Sequence, residues 1–239
     1  MAKLSEAYVN ELAEKFERLS AFDVVKWGIE NFHPKIALAC SFQAEDIVIL
    51  DMMSKVVKDP VVFTIDTGRL NEETYELMDR IRERYGIKIL VYFPDYKQVE
   101  QMVREYGVNL FYKSVELRKL CCQVRKVEPL NRALAGLDAW ITGLRREQNE
   151  TRRTIKKIEI DELHGNIIKI NPLADWTWNQ VWEYIKKNNL PYNKLYDKGY
   201  KSIGCAPCTR PVYPWEDPRA GRWWWEVSNK ECGLHFKVK

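Results

Sequence analysis

The chain passes from an apolar run into a polar turn at Ile36-Ala37-Leu38-Ala39-Cys40-Ser41-Phe42-Gln43-Ala44-Glu45-Asp46. A short apolar run of this kind is typical of a buried strand. The residues after the turn have the apolar spacing of a helix to about Lys55. This part of the sequence therefore predicts a strand, a tight turn and a helix in direct succession.

The same alternation continues along the chain. Further buried strands are predicted at residues 61–65, 88–92 and 139–142, and an edge hairpin at 158–160 and 167–170. Helices are predicted at residues 4–19, 22–32, 72–85, 97–106, 114–135 and 178–187. Because strands separated by helices of this length form right-handed crossovers, we expect an α/β fold with a mainly parallel sheet flanked by helices.

Three polar turns follow predicted strands, at residues 41–46, 66–69 and 142–146. Open α/β sheets bind ligands at the carboxyl ends of their strands. The sequence therefore predicts that these turns surround one crevice.

Composition narrows the class of protein. The chain has 239 residues, 46% of them hydrophobic, and a net charge of +4. That length and that apolar share predict one domain over residues 1–239. The charge suits a small anionic substrate, and it is too small to indicate a nucleic-acid partner. We find no secretory signal and no apolar run of the roughly 18–20 residues that a membrane span needs, so we expect a cytoplasmic protein without membrane contact.

Five of the six cysteines fall into three groups: the tandem pair Cys121-Cys122, the loop pair Cys205-x-x-Cys208, and Cys232 near the C-terminus. In a cytosolic chain, clustered cysteines are more often metal-binding or catalytic than disulfide-bonded. Zinc sites usually take cysteine pairs separated by two to four residues, so the tandem pair favours a larger iron–sulfur cluster held by Cys121, Cys122, Cys205 and Cys208.

Two cysteines stand apart from this predicted cluster. Cys232 lies in a polar tail with Lys230 and His235 nearby, and a neighbouring cation lowers the pKa of a thiol, so Cys232 is a candidate nucleophile. The spacing alone is equally compatible with a cysteine that has no catalytic role. Cys40 ends a predicted strand and is interpreted as a packing residue.

Six motifs, in this order, resemble those of the assimilatory adenylyl-sulfate reductases in the phosphoadenylyl-sulfate reductase family. They are Ser41-Phe42-Gln43-Ala44-Glu45-Asp46, Asp66-Thr67-Gly68-Arg69, Cys121-Cys122-x-x-Arg125-Lys126-x-x-Pro129-Leu130, Thr142-Gly143-Leu144-Arg145-Arg146, Cys205-x-x-Cys208 and Glu231-Cys232-Gly233-Leu234-His235. The resemblance covers nearly the whole chain.

The resemblance implies an adenine-nucleotide α-hydrolase-like sandwich and a defined chemistry. Cys232 would attack the sulfur of bound adenylyl sulfate, AMP would leave, and an S-sulfocysteine would form. Thioredoxin or a glutaredoxin-like dithiol would then release sulfite for sulfate assimilation and cysteine biosynthesis. Both cysteine pairs are intact, which among family members goes with a 4Fe-4S cluster and with adenylyl sulfate as the substrate. The chain stops seven residues after Cys232, so we expect it to need a separate reductant.

The resemblance also implies a set of substrate contacts. The dense negative charge of the phosphosulfate would be neutralised by Lys126, Arg219, Arg222 and His235, and the nucleotide would lie against Ser41, Glu45, Asp66 and Gly143. Arg145 follows a strand end, where contact with an anion and an internal salt bridge are equally compatible with the sequence. Because Cys232 must meet the substrate and then a partner protein, we expect a mobile C-terminal tail from about residue 215 to 239.

Other interpretations remain open from the sequence. A reductase of 3′-phosphoadenylyl sulfate would share the motifs. An RNA thiolase of the same fold usually has a Ser-Gly-Gly-x-Asp-Ser loop after its first strand, which residues 41–46 lack. A zinc-stabilised RNA-binding module would use the basic stretch at residues 145–157. The sequence leaves the oligomeric state open, and a homo-oligomer is possible.

Overall fold

The structure, a computed structural model, describes residues 5–226. Within those residues six strands form one sheet in the order β3-β2-β1-β4-β6-β5. Their bounds are β1 Ile36–Ala39, β2 Val62–Ile65, β3 Ile89–Tyr92, β4 Ala139–Ile141, β5 Ile158–Asp161 and β6 Ile167–Ile170. β1 runs parallel to β2 and β4, and β4 runs parallel to β6, so the mainly parallel sheet is confirmed.

The predicted edge hairpin is confirmed. β5 pairs antiparallel with β6 and is the last strand of the sheet, and β6 lies between β4 and β5. Its last residue, Ile170, is fully buried, whereas β5 has two partly exposed residues. An apolar strand covered on both faces belongs inside a sheet.

Helices flank this sheet and largely match the predicted positions. They are α1 Glu6–Phe16, α2 Ala21–Phe32, α3 Ala44–Ser54, α4 Glu72–Tyr85, α5 Tyr96–Tyr106, α6 Val115–Cys122, α7 Glu128–Leu134 and α8 Trp178–Lys187. α2 packs closely on the sheet at Gly28, where an added Cβ would lie 2.8 Å from Ile170 Cδ1 and 3.2 Å from Ile36 Cδ1.

The predicted single helix at residues 114–135 is wrong in one respect. α6 and α7 are joined by a π-helical segment, Gln123–Val127, in which the Glu128 N–H donates to the Gln123 carbonyl. Pro129 explains the wider turn, because proline lacks the N–H that an α-helix would direct to the Arg125 carbonyl and its ring would clash with that carbonyl. π-helical turns occur often at functional sites.

The order of the strands places a ligand crevice. From β1 the chain builds outward through β2 to β3, and then returns to add β4 on the other side of β1. Such a reversal opens a crevice outside the carboxyl ends of the two central strands. The turns at residues 41–46 and 142–146 follow β1 and β4, so both begin at this reversal.

The described residues divide into two compact units. The first contains residues 5–63, 76–89 and 136–193, and the second contains residues 64–75, 90–135 and 194–226. The predicted single domain over 1–239 and the mobility of the tail stay predictions, and the tail beyond residue 226 lies outside the described part of the chain. No helix in residues 5–226 is both long and apolar enough to cross a membrane.

Candidate active site

In the first unit, the turn after β1 is closed by a carboxyl group. Asp46 Oδ2 accepts hydrogen bonds from the Ser41 backbone N–H and from the Ser41 hydroxyl, both at 2.7 Å. Between them, the buried Phe42 has a φ of 60°, a left-handed conformation that is uncommon for a bulky residue. Strained backbone of this kind clusters at ligand sites.

Burial also changes the acidity of this carboxyl group. Loss of hydration raises the pKa of Asp46 to about 7, although the two hydrogen bonds from Ser41 act in the opposite direction. The carboxyl group therefore exchanges its proton near neutral pH.

Gly143, predicted at the nucleotide crevice, lies directly against this turn. A Cβ at Gly143 would lie 2.4 Å from Asp46 Oδ1 and 3.0 Å from Glu45 Cβ. Neither distance leaves room for a side chain. The structure thus brings together three of the predicted nucleotide contacts: Ser41, Glu45 and Gly143.

Arg145 and Glu45 form a buried ion pair. Arg145 Nε donates to Glu45 Oε1 at 2.9 Å, and the two side chains are 4% and 5% exposed. Gln148 Nε2 donates to the same oxygen at 3.0 Å, and Glu147 accepts from Arg145 Nη1 at 2.8 Å. Of the two roles that the sequence left open for Arg145, the salt bridge is present, and contact with the substrate stays a prediction.

In the second unit, Cys121, Cys122, Cys205 and Cys208 line one pocket. Cys121, Cys122 and Cys208 are buried, and Cys205 is partly buried. Adjacent residues of a helix point about 100° apart. The tandem cysteines nevertheless reach the same pocket, at the point where α6 passes into the π-helical segment.

The same pocket is rich in cations. Its lining includes the side chains Arg69, Arg118, Arg125 and Lys126, together with Phe111, Pro207 and Trp223. Within residues 5–226, no Asp or Glu side chain lines it. Positive groups around buried sulfur stabilise thiolate over thiol.

The loop cysteines respond differently to this environment. Burial alone would raise the pKa of Cys205, but Lys126, the Thr67 hydroxyl, Arg222 and Arg125 together hold it below its usual value. The Thr67 Oγ1–Cys205 Sγ distance is 3.2 Å. Burial, and then the nearby Cys205, raise the pKa of Cys208 to about 12.

Several buried N–H groups near the cysteines have no hydrogen-bond partner among the described residues: Arg125 Nε, Arg222 Nε and Trp223 Nε1. Buried donors are almost always satisfied in folded proteins, so their grouping here marks a place for acceptors. Arg125 is held in position by its Nη1, which donates to the Thr67 carbonyl at 2.7 Å.

Over residues 5–226, no group of three or more His, Cys, Asp or Glu side chains converges closely enough to hold a metal ion. The four cysteines share a pocket without meeting at a single point.

Asp66 organises the turn after β2. Its Oδ1 accepts from the Gly68 N–H at 2.7 Å and from the Tyr75 hydroxyl at 2.9 Å. Gly68 has a φ of +70°, which glycine adopts without strain. The carbonyl of the next residue, Arg69, accepts from Ala206 N at 2.8 Å, so this turn supports the loop that carries Cys205 and Cys208.

Other predicted residues lie in different settings. Lys126 is half-buried and lines the cysteine pocket. Arg222 is buried, and its Nη1 donates to Ser202 Oγ and to the Ile203 carbonyl, both at 3.2 Å. Arg219 is partly buried. Cys232 and His235 lie outside the described residues.

Sequence reasoning missed several residues of the site. Thr67 and Arg125 belong to quoted motifs, but neither was given a role, and their contacts with the cysteine loop depend on folding.

Cys40 was correctly interpreted as packing, since it is 2% exposed. Trp223 is buried in the core, whereas Trp224 is 41% exposed.

Known proteins resemble this chain in sequence and in fold. A family model described as the phosphoadenosine phosphosulfate reductase domain matches residues 35–211. Adenosine 5′-phosphosulfate reductase from Burkholderia cepacia is 52% identical over 233 residues, covering 96% of this chain and 91% of that protein. The protein of the same name from Allochromatium vinosum is 49% identical over 201 residues, covering 84% and 78%.

Solved structures show the same fold. Phosphoadenylyl-sulfate reductase from Candida auris, a phosphate complex, superposes with a TM-score of 0.74 at 34% identity, covering 85% of this chain and 97% of that one. Yeast FAD synthetase, at 14% identity, has a TM-score of 0.57 and shares the fold alone. With a matching family model over most of its length and relatives this similar, the chain belongs to the phosphoadenosine phosphosulfate reductase family.

Proposed function

We propose that the chain reduces adenylyl sulfate to sulfite and AMP in sulfate assimilation, with electrons from a thioredoxin or a glutaredoxin-like dithiol. The pocket that combines four cysteines with four cationic side chains carries this proposal. Relatives named as reductases over nearly the whole chain favour an enzyme over the RNA-binding module.

The residues of the pocket fit a 4Fe-4S cluster. Four thiols match the usual ligand set, and the buried N–H groups of Arg125 and Trp223 are donors without acceptors among the described residues, as needed for hydrogen bonds to sulfur. A single zinc ion would require all four sulfurs within about 2.3 Å of one point. The ligands of a cluster bind different irons, so they surround a pocket instead of converging.

When bound, a cluster would supply a fixed, charged support beside the cations of the pocket. Lys126 is the residue we expect to act between that support and the substrate, because it is half-buried at the pocket and lies in the π-helical segment. It would offset the charge of the phosphosulfate, together with Arg219, Arg222 and His235. Cluster-ligating thiols must stay reduced, which suits the cytoplasm.

The chemistry is a transfer of the sulfonate to sulfur. The thiolate of Cys232 attacks the sulfur of adenylyl sulfate, the S–O bond breaks, and AMP leaves with the bonding electron pair. A thiolate of the partner dithiol then attacks Cys232 Sγ and expels sulfite. Its second thiol resolves the mixed disulfide, so the partner leaves as a disulfide and supplies both electrons.

The turn after β1 would hold the nucleotide. It lies at the reversal of strand order, where this class of sheet binds ligands. Ser41 and Glu45 belong to this turn and Gly143 lies against it. Asp66 stays a contact that the sequence alone predicts. Relatives named for adenosine 5′-phosphosulfate share 52% and 49% identity, whereas the structure named for phosphoadenylyl sulfate shares 34%, which favours the nucleotide without the 3′-phosphate.

Sulfite release with thioredoxin present tests the proposal. We expect turnover with adenylyl sulfate at least about tenfold above that with the 3′-phosphorylated nucleotide, a difference of about 1.4 kcal/mol. Cys232→Ser should abolish turnover and keep the brown absorption of the cluster, whereas Cys121→Ser should lose that absorption. Cys40→Ser is the matched control, since that buried cysteine lies outside the pocket.

Two results would contradict the proposal. Faster sulfite release from the 3′-phosphorylated nucleotide would assign the other substrate. If protein purified without air contained zinc and no iron, the proposed cluster would be wrong. The zinc-stabilised RNA-binding module would then be the favoured interpretation.

A further inference from the structure

The segment that joins α5 to α6 covers one side of the cysteine pocket in the second unit. We call residues 107–113 the covering segment, and it contains the 3-10 turn Leu110–Tyr112. Phe111 lines the pocket and is 1% exposed, whereas its neighbour Tyr112 is 44% exposed. On this side, therefore, a thin layer of side chains separates the pocket from solvent.

Aromatic rings pack together in this layer. The centre of the Tyr112 ring lies 4.6 Å from that of Phe111 and 4.5 Å from that of Trp225, in tilted and edge-to-face arrangements. Aromatic pairs at such distances attract each other beyond the effect of the apolar area that they bury. The three rings thus form a packed wall.

The covering segment also holds the loop at residues 205–208, which carries the second cysteine pair. The Tyr112 hydroxyl donates to the Pro207 carbonyl at 2.7 Å. Proline has no N–H, so this carbonyl is the one backbone group through which a hydrogen bond can hold Pro207. Ala206, the other residue between the two cysteines, is held by its N–H, which donates to the Arg69 carbonyl at 2.8 Å.

Arg69 connects these two supports. Its guanidinium lies 5.2 Å from the centre of the Phe111 ring. Its Nη1 donates to the Val108 carbonyl at 2.8 Å, and its Nη2 donates to Asn109 Oδ1 at 3.2 Å. The turn after β2, the covering segment and the cysteine loop therefore form one hydrogen-bonded network.

We propose that the covering segment closes the cysteine pocket over the proposed cluster, with Tyr112 as the positioning residue that keeps the loop at residues 205–208 in place. This inference rests on the proposed function, because it needs the cluster to be present. The apolar shell of a metal site controls the access of solvent to that site. A loop that opened more often would therefore expose the cluster to water and dissolved oxygen more often.

Tyr112→Phe tests the proposal, because it removes the hydroxyl and keeps the ring. One net hydrogen bond changes an opening equilibrium by about fivefold. We expect the variant, purified without air, to contain as much iron as the wild type and to lose its brown absorption about fivefold faster in air. Hydrogen exchange of the Ala206 and Cys208 amides, which both donate to backbone carbonyls, should become faster by the same factor.

Tyr184→Phe is the matched control. The Tyr184 hydroxyl donates to Asp51 Oδ2 at 2.8 Å in the first unit, and this side chain does not line the cysteine pocket. Because a hydrogen bond to a carboxylate is stronger than one to a neutral carbonyl, this substitution should lower the free energy of unfolding at least as much as Tyr112→Phe. It should nevertheless leave the bleaching rate and the exchange of both amides unchanged.

Wild-type bleaching or wild-type exchange in Tyr112→Phe would overturn the proposal, and so would equal effects of the two substitutions. If the wild type contained no iron, the proposed cluster would be the part that failed. Hydrogen exchange would then still test whether Tyr112 holds the cysteine loop, since unchanged rates at Ala206 and Cys208 would reject it.

Discussion

Asp46 is a single side chain through which pH should change the stability of the folded protein. The ordinary pKa of an aspartate side chain is 3.8, and burial raises the pKa of Asp46 to about 7 in the folded chain. Between these two pH values the folded chain keeps a proton that the unfolded chain releases, so the free energy of unfolding falls as the pH rises.

We predict that raising the pH from 5 to 8 lowers the free energy of unfolding through Asp46 by up to about 3 kcal/mol. Asp46→Asn cannot release this proton and should lack that part of the decrease. Denaturant unfolding of both proteins at the two pH values measures it. Asp79→Asn is the control, because Asp79 is an exposed carboxylate of α4. Parallel pH profiles for wild type and Asp46→Asn would refute the prediction.

The sequence predicted the types of the site's residues better than their contacts. Cysteine spacing alone indicated a shared site for Cys121, Cys122, Cys205 and Cys208, and the structure places all four around one pocket. The burial of Arg222 could not be predicted from local sequence spacing. Its burial depends on Ser202 and Ile203, twenty and nineteen residues earlier, and no local pattern encodes such a contact.

The π-helical segment between α6 and α7 is the element that most directly shapes the cysteine pocket. Deleting the exposed residue Gln123 would let this wide turn close into a regular α-helix. Removing one residue rotates what precedes it by about 100°, which would turn Cys121 and Cys122 away from Cys205 and Cys208. We predict that the deletion variant retains its helical circular dichroism and binds less than about half the iron of the wild type.

Gln123→Ala keeps the number of residues and should bind iron normally, so it separates the register of the helix from the side chain. Pro129→Ala provides a second route to the same change if the deletion variant does not fold, because it restores the missing N–H donor. A deletion variant with full iron and an unchanged absorption spectrum would show that the wide turn is dispensable.

Strands and helices followed from apolar periodicity wherever the pattern was long or bounded by turns. The first strand and α3 were predicted nearly to the residue, since β1 is Ile36–Ala39 and α3 is Ala44–Ser54. The π-helical segment escaped prediction because its apolar spacing is compatible with a continuous helix. The edge hairpin of β5 and β6 was predicted, but the order of the strands was not, because strand order depends on tertiary contacts.

The number of electrons in the proposed reaction limits where they can come from. Reduction of the sulfate sulfur to sulfite takes two electrons, and the S-sulfocysteine step consumes none of them, since it only exchanges oxygen for sulfur at that centre. If the cluster we propose is purely structural, it supplies no electrons for the second step. Under the proposed mechanism a dithiol partner would then provide both electrons.

We predict that the protein, incubated with excess adenylyl sulfate and no dithiol, releases one AMP per chain and then stops. Intact mass spectrometry should show one added sulfonate per chain, and peptide mapping should place it on Cys232. Addition of reduced thioredoxin should then release sulfite in an amount equal to the AMP, without further nucleotide. Cys232→Ser, treated identically, should release no AMP. Continued AMP release without dithiol, or a change in the absorption of the cluster during the burst, would mean that the cluster or another group takes part in the electron transfer, and the division between a structural cluster and a catalytic thiol would fail.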